Sequence, residues 1–421
     1  MHITFRRLLV IGTLLLCGSW CSALAQHSEA ASPTIRSLEK AIQSNKTGAL
    51  NDFWRKIQDK GTPLVEASNH PDSLLITFVH RGGEGMNSVR LSSALNALLI
   101  KGIEQDFKAL GKMQRMGSTD LWYLSMVVGR DVRVSYRFEL AGGTEVRDSL
   151  NPHIYRDDRP AIRASLLELP DAPPQPWNKR KGELGSWKQL KVKDIHGGEN
   201  DAFVYLPVDF DRDRVEPYPV LVGLDSYSFG IGMPGAHLLD HLISTKAIPP
   251  TVMVAANLPQ GDGLEQMETA AEYVANRLLP ELRSELNVTS DPGKVVISGT
   301  SRRGLIAAYT AFVKPEAVGN VVALSGSFYW KPDNETEYEW LTHRFATEEI
   351  RPVRLFVSAG TLETVVTPGN HGHYMVATNR HLRDILLARG YDFEYWEFAG
   401  THSDLSWQDA LARGLVRLLS N

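Results

Sequence analysis

The run Lys294-Val295-Val296-Ile297-Ser298 has the composition of a buried strand and leads into Gly299-Thr300-Ser301-Arg302-Arg303-Gly304; Leu305-Ile306-Ala307-Ala308-Tyr309 then opens a helix. A serine on a tight turn between strand and helix is where a chain can present a hydroxyl as a nucleophile. Such a serine takes a strained backbone conformation, so its neighbours must be small enough for strand and helix to pass closely. Gly299 satisfies that demand and Arg303 does not. The helix that follows aims its free N–H groups, that of Arg302 among them, at a developing oxyanion. Read alone, Ser301 could simply cap the helix. Its candidate partners argue for chemistry instead.

In this arrangement the chain order is serine, acid, histidine. Glu363 follows the late strand Arg354-Leu355-Phe356-Val357-Ser358-Ala359-Gly360, where the acid belongs, although Asp384 and Asp404 are alternatives. The terminal strand signal Tyr391–Phe398 runs into Ala399-Gly400-Thr401-His402, which puts His402 in the place of the general base. The turn after an early strand usually donates the second oxyanion N–H, and Leu221-Val222-Gly223-Leu224-Asp225 points to Ser226 or Tyr227, unless this is an ordinary strand-to-loop junction. His371 and His373 have a spacing that invites a metal, but no acidic or cysteine cluster accompanies them. They are read as substrate-facing or solvent-exposed, and no metal is expected.

The elements that must position these residues are strands alternating with helices: Ala202–Leu206, Pro219–Gly223, Thr251–Ala256, a helix over Met267–Leu286, Lys294–Ser298, a helix from Arg303, Val321–Leu324 and Arg354–Ser358. That grammar predicts an α/β-hydrolase with a mostly parallel sheet covered on both faces over residues 187–421. Ahead of it, helix-like spacing over 33–60 precedes the strand signals Leu74–Val79, Leu121–Leu124 and Val132–Phe138. These predict a helical segment and a small, immunoglobulin-like β-sandwich over 26–168. The proline-rich stretch 169–186 reads as a linker.

Arg6-Arg7, the apolar run Leu8–Leu16 and Ala23-Leu24-Ala25 form a secretory signal peptide over 1–25, with a periplasmic or secreted destination. The run is too short for a retained membrane anchor. Both cysteines, Cys17 and Cys21, fall within it, so the mature chain has no thiol chemistry. Cleavage takes the formal charge from −4 to −4 − 2 = −6, which argues against nucleic acid or an anionic membrane as partner. An anionic small molecule would need a local basic patch.

Several segments resemble the enterochelin (iron–enterobactin) esterase family over nearly the whole mature chain. In front these are Thr77-Phe78-Val79 with Arg81-Gly82, Met113-Gln114-Arg115-Met116, Thr119-Asp120-Leu121-Trp122 and Ser149-Leu150-Asn151-Pro152, then the linker Ser165–Pro173. Behind are Leu278-Leu279-Pro280, the serine turn, Leu324-Ser325-Gly326-Ser327-Phe328-Tyr329-Trp330, Ala359–Glu363, and Gly400-Thr401-His402 with Trp407. The resemblance implies hydrolysis of the trilactone of a ferric catecholate siderophore, with iron present only as part of the substrate and no cofactor. It also implies Ser301 as nucleophile, His402 as base and Glu363 as acid. The family pattern has Ser-x-Gly-Gly where this chain has Ser301-Arg302-Arg303-Gly304. Because iron catecholates are anionic, Arg302 and Arg303 are candidates for binding them, with Trp330 or Tyr329 stacking on a catechol ring, unless the arginines point to solvent or pair with nearby acids. A feruloyl or acetyl esterase acting on polysaccharide, and a siderophore-binding protein that has lost catalysis, are the competing functions.

Overall fold

The computed structural model describes residues 32–100, 110–155, 163–179, 184–364 and 374–420. The signal segment and His371 and His373 lie outside these residues.

The front of the chain opens with two amphipathic helices, Pro33–Gln43 and Ala49–Lys60. Two antiparallel sheets follow. One orders Leu64–Ala67, Ser73–Arg81, Leu121–Gly129 and Gln114–Arg115; the other orders Val89–Ser92, Arg133–Leu140, Ala164–Glu168 and Ile154–Tyr155. Alternation along Ser73–Arg81 explains why both faces of the first sheet are covered. Ile76 and Phe78 point into the space between the sheets, with Val134 and Phe138 opposite, whereas Val79 packs under Phe53, Trp54 and Ile57 of the helices. This is the expected β-sandwich with its helical segment laid across one face.

The second unit is one sheet of eight strands, numbered here from its own start: β1 (Ser186–Lys193), β2 (Glu199–Leu206), β3 (Val220–Leu224), β4 (Val252–Ala256), β5 (Val295–Thr300), β6 (Asn320–Leu324), β7 (Arg354–Gly360) and β8 (Asp392–Phe398). Their spatial order is β1-β2-β4-β3-β5-β6-β7-β8, with β1 and β2 antiparallel at the edge and the others parallel. Strands β3 to β6 are buried throughout because both faces are covered. On one face lie α2 (Gly263–Tyr273), α3 (Leu279–Glu285), α4 (Ser301–Val313), α5 (Trp340–Thr347) and α6 (Met375–Arg389). On the other lie α1 (Gly235–Ser244) and α7 (Asp404–Leu419). This is the α/β-hydrolase layering.

The helix expected over Met267–Leu286 starts earlier, at Gly263, where the Asp262 carboxylate caps it by accepting from the Gly263 N–H at 2.7 Å. It passes through a wide turn at Val274–Leu278 before ending as α3. The expected linker is looped only in part. Pro176–Lys179 forms a helical turn whose Trp177 is buried, and β1 begins at Ser186.

Candidate active site

Parallel strands deliver their carboxyl ends to one edge of a sheet, and the loops leaving that edge are where α/β folds build sites. Ser301 leaves β5, Ser325 and Ser327 leave β6, Glu363 follows β7 and His402 follows β8. Since β5 to β8 are adjacent in the sheet, four consecutive loops meet there.

At the serine turn, Thr300 is still extended and Ser301 takes φ 54°, a left-handed conformation that a non-glycine residue holds only where its surroundings enforce it. The enforcing contacts are close. A Cβ on Gly299 would lie 2.3 Å from the Arg303 carbonyl oxygen, and one on Gly304 would lie 3.0 Å from the Gly299 oxygen and 3.1 Å from the Gly326 Cα. Strand and helix therefore pass through a gap that Gly299 and Gly304 keep open, while the Arg303 side chain turns outward and its Nη1 pairs with Asp225 Oδ2 at 3.1 Å. The Ser301 hydroxyl stands 3.5 Å from the Ser327 hydroxyl, and the Ser327 N–H donates to the Ser301 carbonyl at 3.1 Å.

His402 Nδ1 lies 2.9 Å from Glu363 Oε2. The carboxylate side chain is 2 % exposed and the imidazole 37 %, so the acid is sealed beneath a ring that reaches the surface. Glu363 Oε1 accepts from the Ser325 hydroxyl at 2.5 Å and from the Gly360 N–H at 2.9 Å. Trp407 Nε1 in turn donates to the Ser325 Oγ at 2.9 Å, and the Trp407 ring meets the His402 ring edge-on at 4.7 Å. A buried carboxylate supplied with donors on one oxygen can hold the imidazole through the other, which leaves Nε2 as the working nitrogen. Of the alternative acids, Asp384 is exposed and bonded to Arg383 at 2.8 Å, while Asp404 is buried at the start of α7.

The loop after β3 is fixed by Asp225, which has φ 151°. Its Oδ1 accepts from the Tyr227 N–H at 2.9 Å and from the Ser228 N–H at 3.4 Å. The Ser226 N–H donates to Asn257 Oδ1 over a longer 3.3 Å. Tyr227 thus has its amide committed within the loop, whereas the long Ser226 contact is one that a ligand oxygen could replace. Arg302 sits at the amino end of α4, where N–H groups have no partner inside the helix.

The two arginines of the serine turn part company. Arg302 stacks over the Trp330 ring at 4.2 Å and donates from Nη2 to the Gly263 carbonyl at 2.9 Å, with its Nε buried and without a hydrogen bond. Burial pushes its guanidinium below the ordinary value, against the pull of Asp262 and Tyr329. One face of Trp330 is therefore covered by a cation, and Trp340 packs perpendicular to it at 6.0 Å, which limits the stacking expected of it. A polar cleft of 480 Å³ opens beside both arginines, bordered by Asn257, Gln260 and Gln266 and by the acids Glu199 and Asp201.

Ser325 and Ser327 have no assigned role in the sequence reading. The signal was the Ser-Gly-Ser directly after a fully buried strand, with Ser325 itself at φ 47°. Among the described residues no group of three or more His, Cys, Asp or Glu could hold a metal ion, and no helix is long and apolar enough to cross a membrane.

With this geometry in view, the model of a family described as putative esterase matches residues 195–418, and one described as enterochelin esterase, N-terminal, matches residues 75–145. An iron(III) salmochelin esterase of Escherichia coli O6:H1 is 24% identical over 426 residues, covering 93% of this chain and 98% of that protein. An iron(III) enterobactin esterase of Dickeya dadantii is 23% identical over 419 residues, with 87% and 92% covered. Among solved structures, the ferric enterobactin esterase from Salmonella typhimurium superposes with a TM-score of 0.70 at 22% identity, covering 87% of this chain and 98% of that one. The enterobactin esterase from Shigella flexneri in the presence of enterobactin gives 0.67 at 21%, with 86% and 96% covered.

Proposed function

The chain belongs to the putative esterase family, and from that membership we propose that it is an exported serine esterase that opens ester bonds of a ferric catecholate siderophore of the enterobactin type. The observation that carries the serine mechanism is the Glu363–His402 pair at 2.9 Å, its free nitrogen at the same sheet edge as Ser301. The substrate class is supported by relatives named for enterobactin and salmochelin that match both the front and the hydrolase units. Export is supported by the signal reading of residues 1–25, with a periplasmic or secreted site of action.

In the first step the Ser301 Oγ attacks an ester carbonyl carbon while His402 Nε2 takes its proton. The tetrahedral oxyanion is held by the Arg302 N–H and by the Ser226 N–H once the latter leaves Asn257. Glu363 supports the imidazolium without itself taking the proton. As the intermediate collapses, the carbon–oxygen bond to the leaving alkoxide breaks and His402 returns the proton to it. Water, deprotonated by His402, then attacks the acyl-enzyme and releases the carboxylic acid and Ser301. For a trilactone, one such cycle opens the ring and further cycles separate its units. Arg302, stacked on Trp330 beside the turn, supplies positive charge for an anionic iron complex in a chain that is acidic overall.

A fluorophosphonate probe and a pair of substrates test this reading. The wild-type chain is expected to be labelled at Ser301 and to cleave a ferric catecholate trilactone, and Ser301→Ala is expected to lose about 10⁴-fold or more in turnover while still binding it. A folded wild-type chain that resists the probe would overturn the mechanism. Cleavage of a feruloyl ester with none of the trilactone would overturn the substrate.

A further inference from the structure

Leu362 and Ala399 belong to the hydrolase unit by position in the chain, yet both pack into the core of the front sandwich. Leu362 is 7% exposed, in the cluster of Ile76, Phe78 and Trp122, and Ala399 lies against the same cluster. Leu362 immediately precedes the candidate acid Glu363, and Ala399 stands three residues before the candidate base His402. The two loops are also bonded to each other. The Thr361 N–H donates to the Phe398 carbonyl at 2.9 Å and the Leu362 N–H to the Gly400 carbonyl at 3.1 Å. The fit is close enough that a Cβ on Gly360 would lie 2.5 Å from the Gly400 oxygen.

The far side of His402 is tied in the same way. Gln175, between the two units, donates to the Leu405 carbonyl at 2.9 Å, and Arg133 of the sandwich donates to Asp409 Oδ2 at 3.0 Å. Front-unit side chains thus hold the acid loop, the base loop and the first turns of α7. A loop glutamate and a loop histidine have many conformations open to them, and catalysis needs the one in which they meet. Displacing a catalytic group by about 1 Å can cost roughly 10²-fold in rate.

We propose that Leu362 is a positioning residue: its insertion into the sandwich core sets the Glu363–His402 pair against Ser301, so that this one contact, and not the stability of the sandwich as such, governs turnover of any ester, including one too small to touch the front unit. This rests on the serine-esterase reading above.

The test uses the full chain and p-nitrophenyl acetate, a small neutral ester. Three substitutions are compared: Leu362→Ala, the conservative Leu362→Met, and Leu167→Ala, which empties the same core from the strand Ala164–Glu168. Both alanine variants are expected to lower the melting temperature. Leu362→Ala is expected to lose about 10- to 100-fold in kcat with KM held within about twofold, whereas Leu167→Ala keeps kcat within about twofold and Leu362→Met recovers most of the loss. Should Leu362→Ala fail to fold, Leu362→Val carries the same expectation at smaller amplitude. Retained kcat in the Leu362 variants, or an equal loss in Leu167→Ala, overturns the proposal while leaving the esterase reading intact. An inert wild-type chain overturns the esterase reading, and this proposal with it.

Discussion

Arg303 stands two residues past the candidate nucleophile, where bulk threatens the passage between strand and helix. Its backbone fills that passage first, with the Arg303 carbonyl oxygen 2.3 Å and the Arg303 Cβ 3.0 Å from where a Gly299 Cβ would be, while the side chain is 48% exposed and its guanidinium pairs with Asp225. Asp225 is the more consequential partner, since its other oxygen accepts from the Tyr227 and Ser228 amides and so shapes the loop that carries Ser226. A half-exposed ion pair contributes up to about 1 kcal/mol. Arg303→Ala is therefore expected to lower kcat by no more than about fivefold, and by the same factor on p-nitrophenyl acetate and on a ferric catecholate. Asp225→Ala, which also strands two amides, should cost more on both. Steady-state kinetics on the two substrates checks this; a KM increase confined to the anionic substrate would return Arg303 to a binding role. The outward course of Arg303 was not legible in the sequence, because it depends on an aspartate 78 positions earlier, 303 − 225, brought alongside by the β3–β5 pairing.

At the scale of elements, what could be read in advance tracks burial. Strands β3 to β7 were legible because they are buried on both faces and each carries a short, mostly apolar run. The edge strand β1, Ser-Trp-Lys-Gln-Leu-Lys-Val-Lys, was not, since one face is in water and its lysines resemble a linker. Ser325 carried no role in the sequence for another reason: it follows β6, and its role comes from a glutamate after β7. The strand–turn–helix unit at Ser301 was legible to within two residues, the strand running on to Thr300 and the helix starting at Ser301 and not Arg303, and its tolerance is predictable from its clearances. Gly299→Ala must push against backbone at 2.3 Å, and Gly304→Ala against backbone at 3.0 Å. Both are expected to destabilise the chain by about 1–3 kcal/mol, Gly299→Ala the more, with fluorophosphonate labelling slowed in the same order. Denaturant midpoints and labelling rates give the comparison; a neutral Gly299→Ala would mean that the turn is not as tight as these contacts require.

At the scale of the whole molecule, a largely buried carboxylate adds a polar tie between the two units to the apolar one made by Leu362. Asp409 of α7 faces Arg133, with Nη1 at 3.0 Å, and Gln175, with Nε2 at 3.1 Å; Arg133 also holds Glu168 at 3.1 Å and the Pro173 carbonyl. Asp131, Asp171 and Arg413 line the 320 Å³ cleft around this contact. Burial pushes Asp409 up to about 7 from an ordinary 3.8; Arg133 and Gln175 pull it down and the nearby Glu168 adds to the rise. The folded chain therefore binds a proton at Asp409 between about pH 4 and 7 that the unfolded chain has released, so this group's contribution to stability is present at the acid end and is lost as pH rises through 7. Each unit across that window is worth up to about 1.4 kcal/mol. Asp409→Asn removes the titration but keeps an acceptor for Arg133. The difference in unfolding free energy between variant and wild type should thus shift in the variant's favour by about 1–3 kcal/mol from pH 5 to pH 8. Urea unfolding at the two pH values reads it directly, and a difference that does not change with pH would show that Asp409 stays ionised throughout.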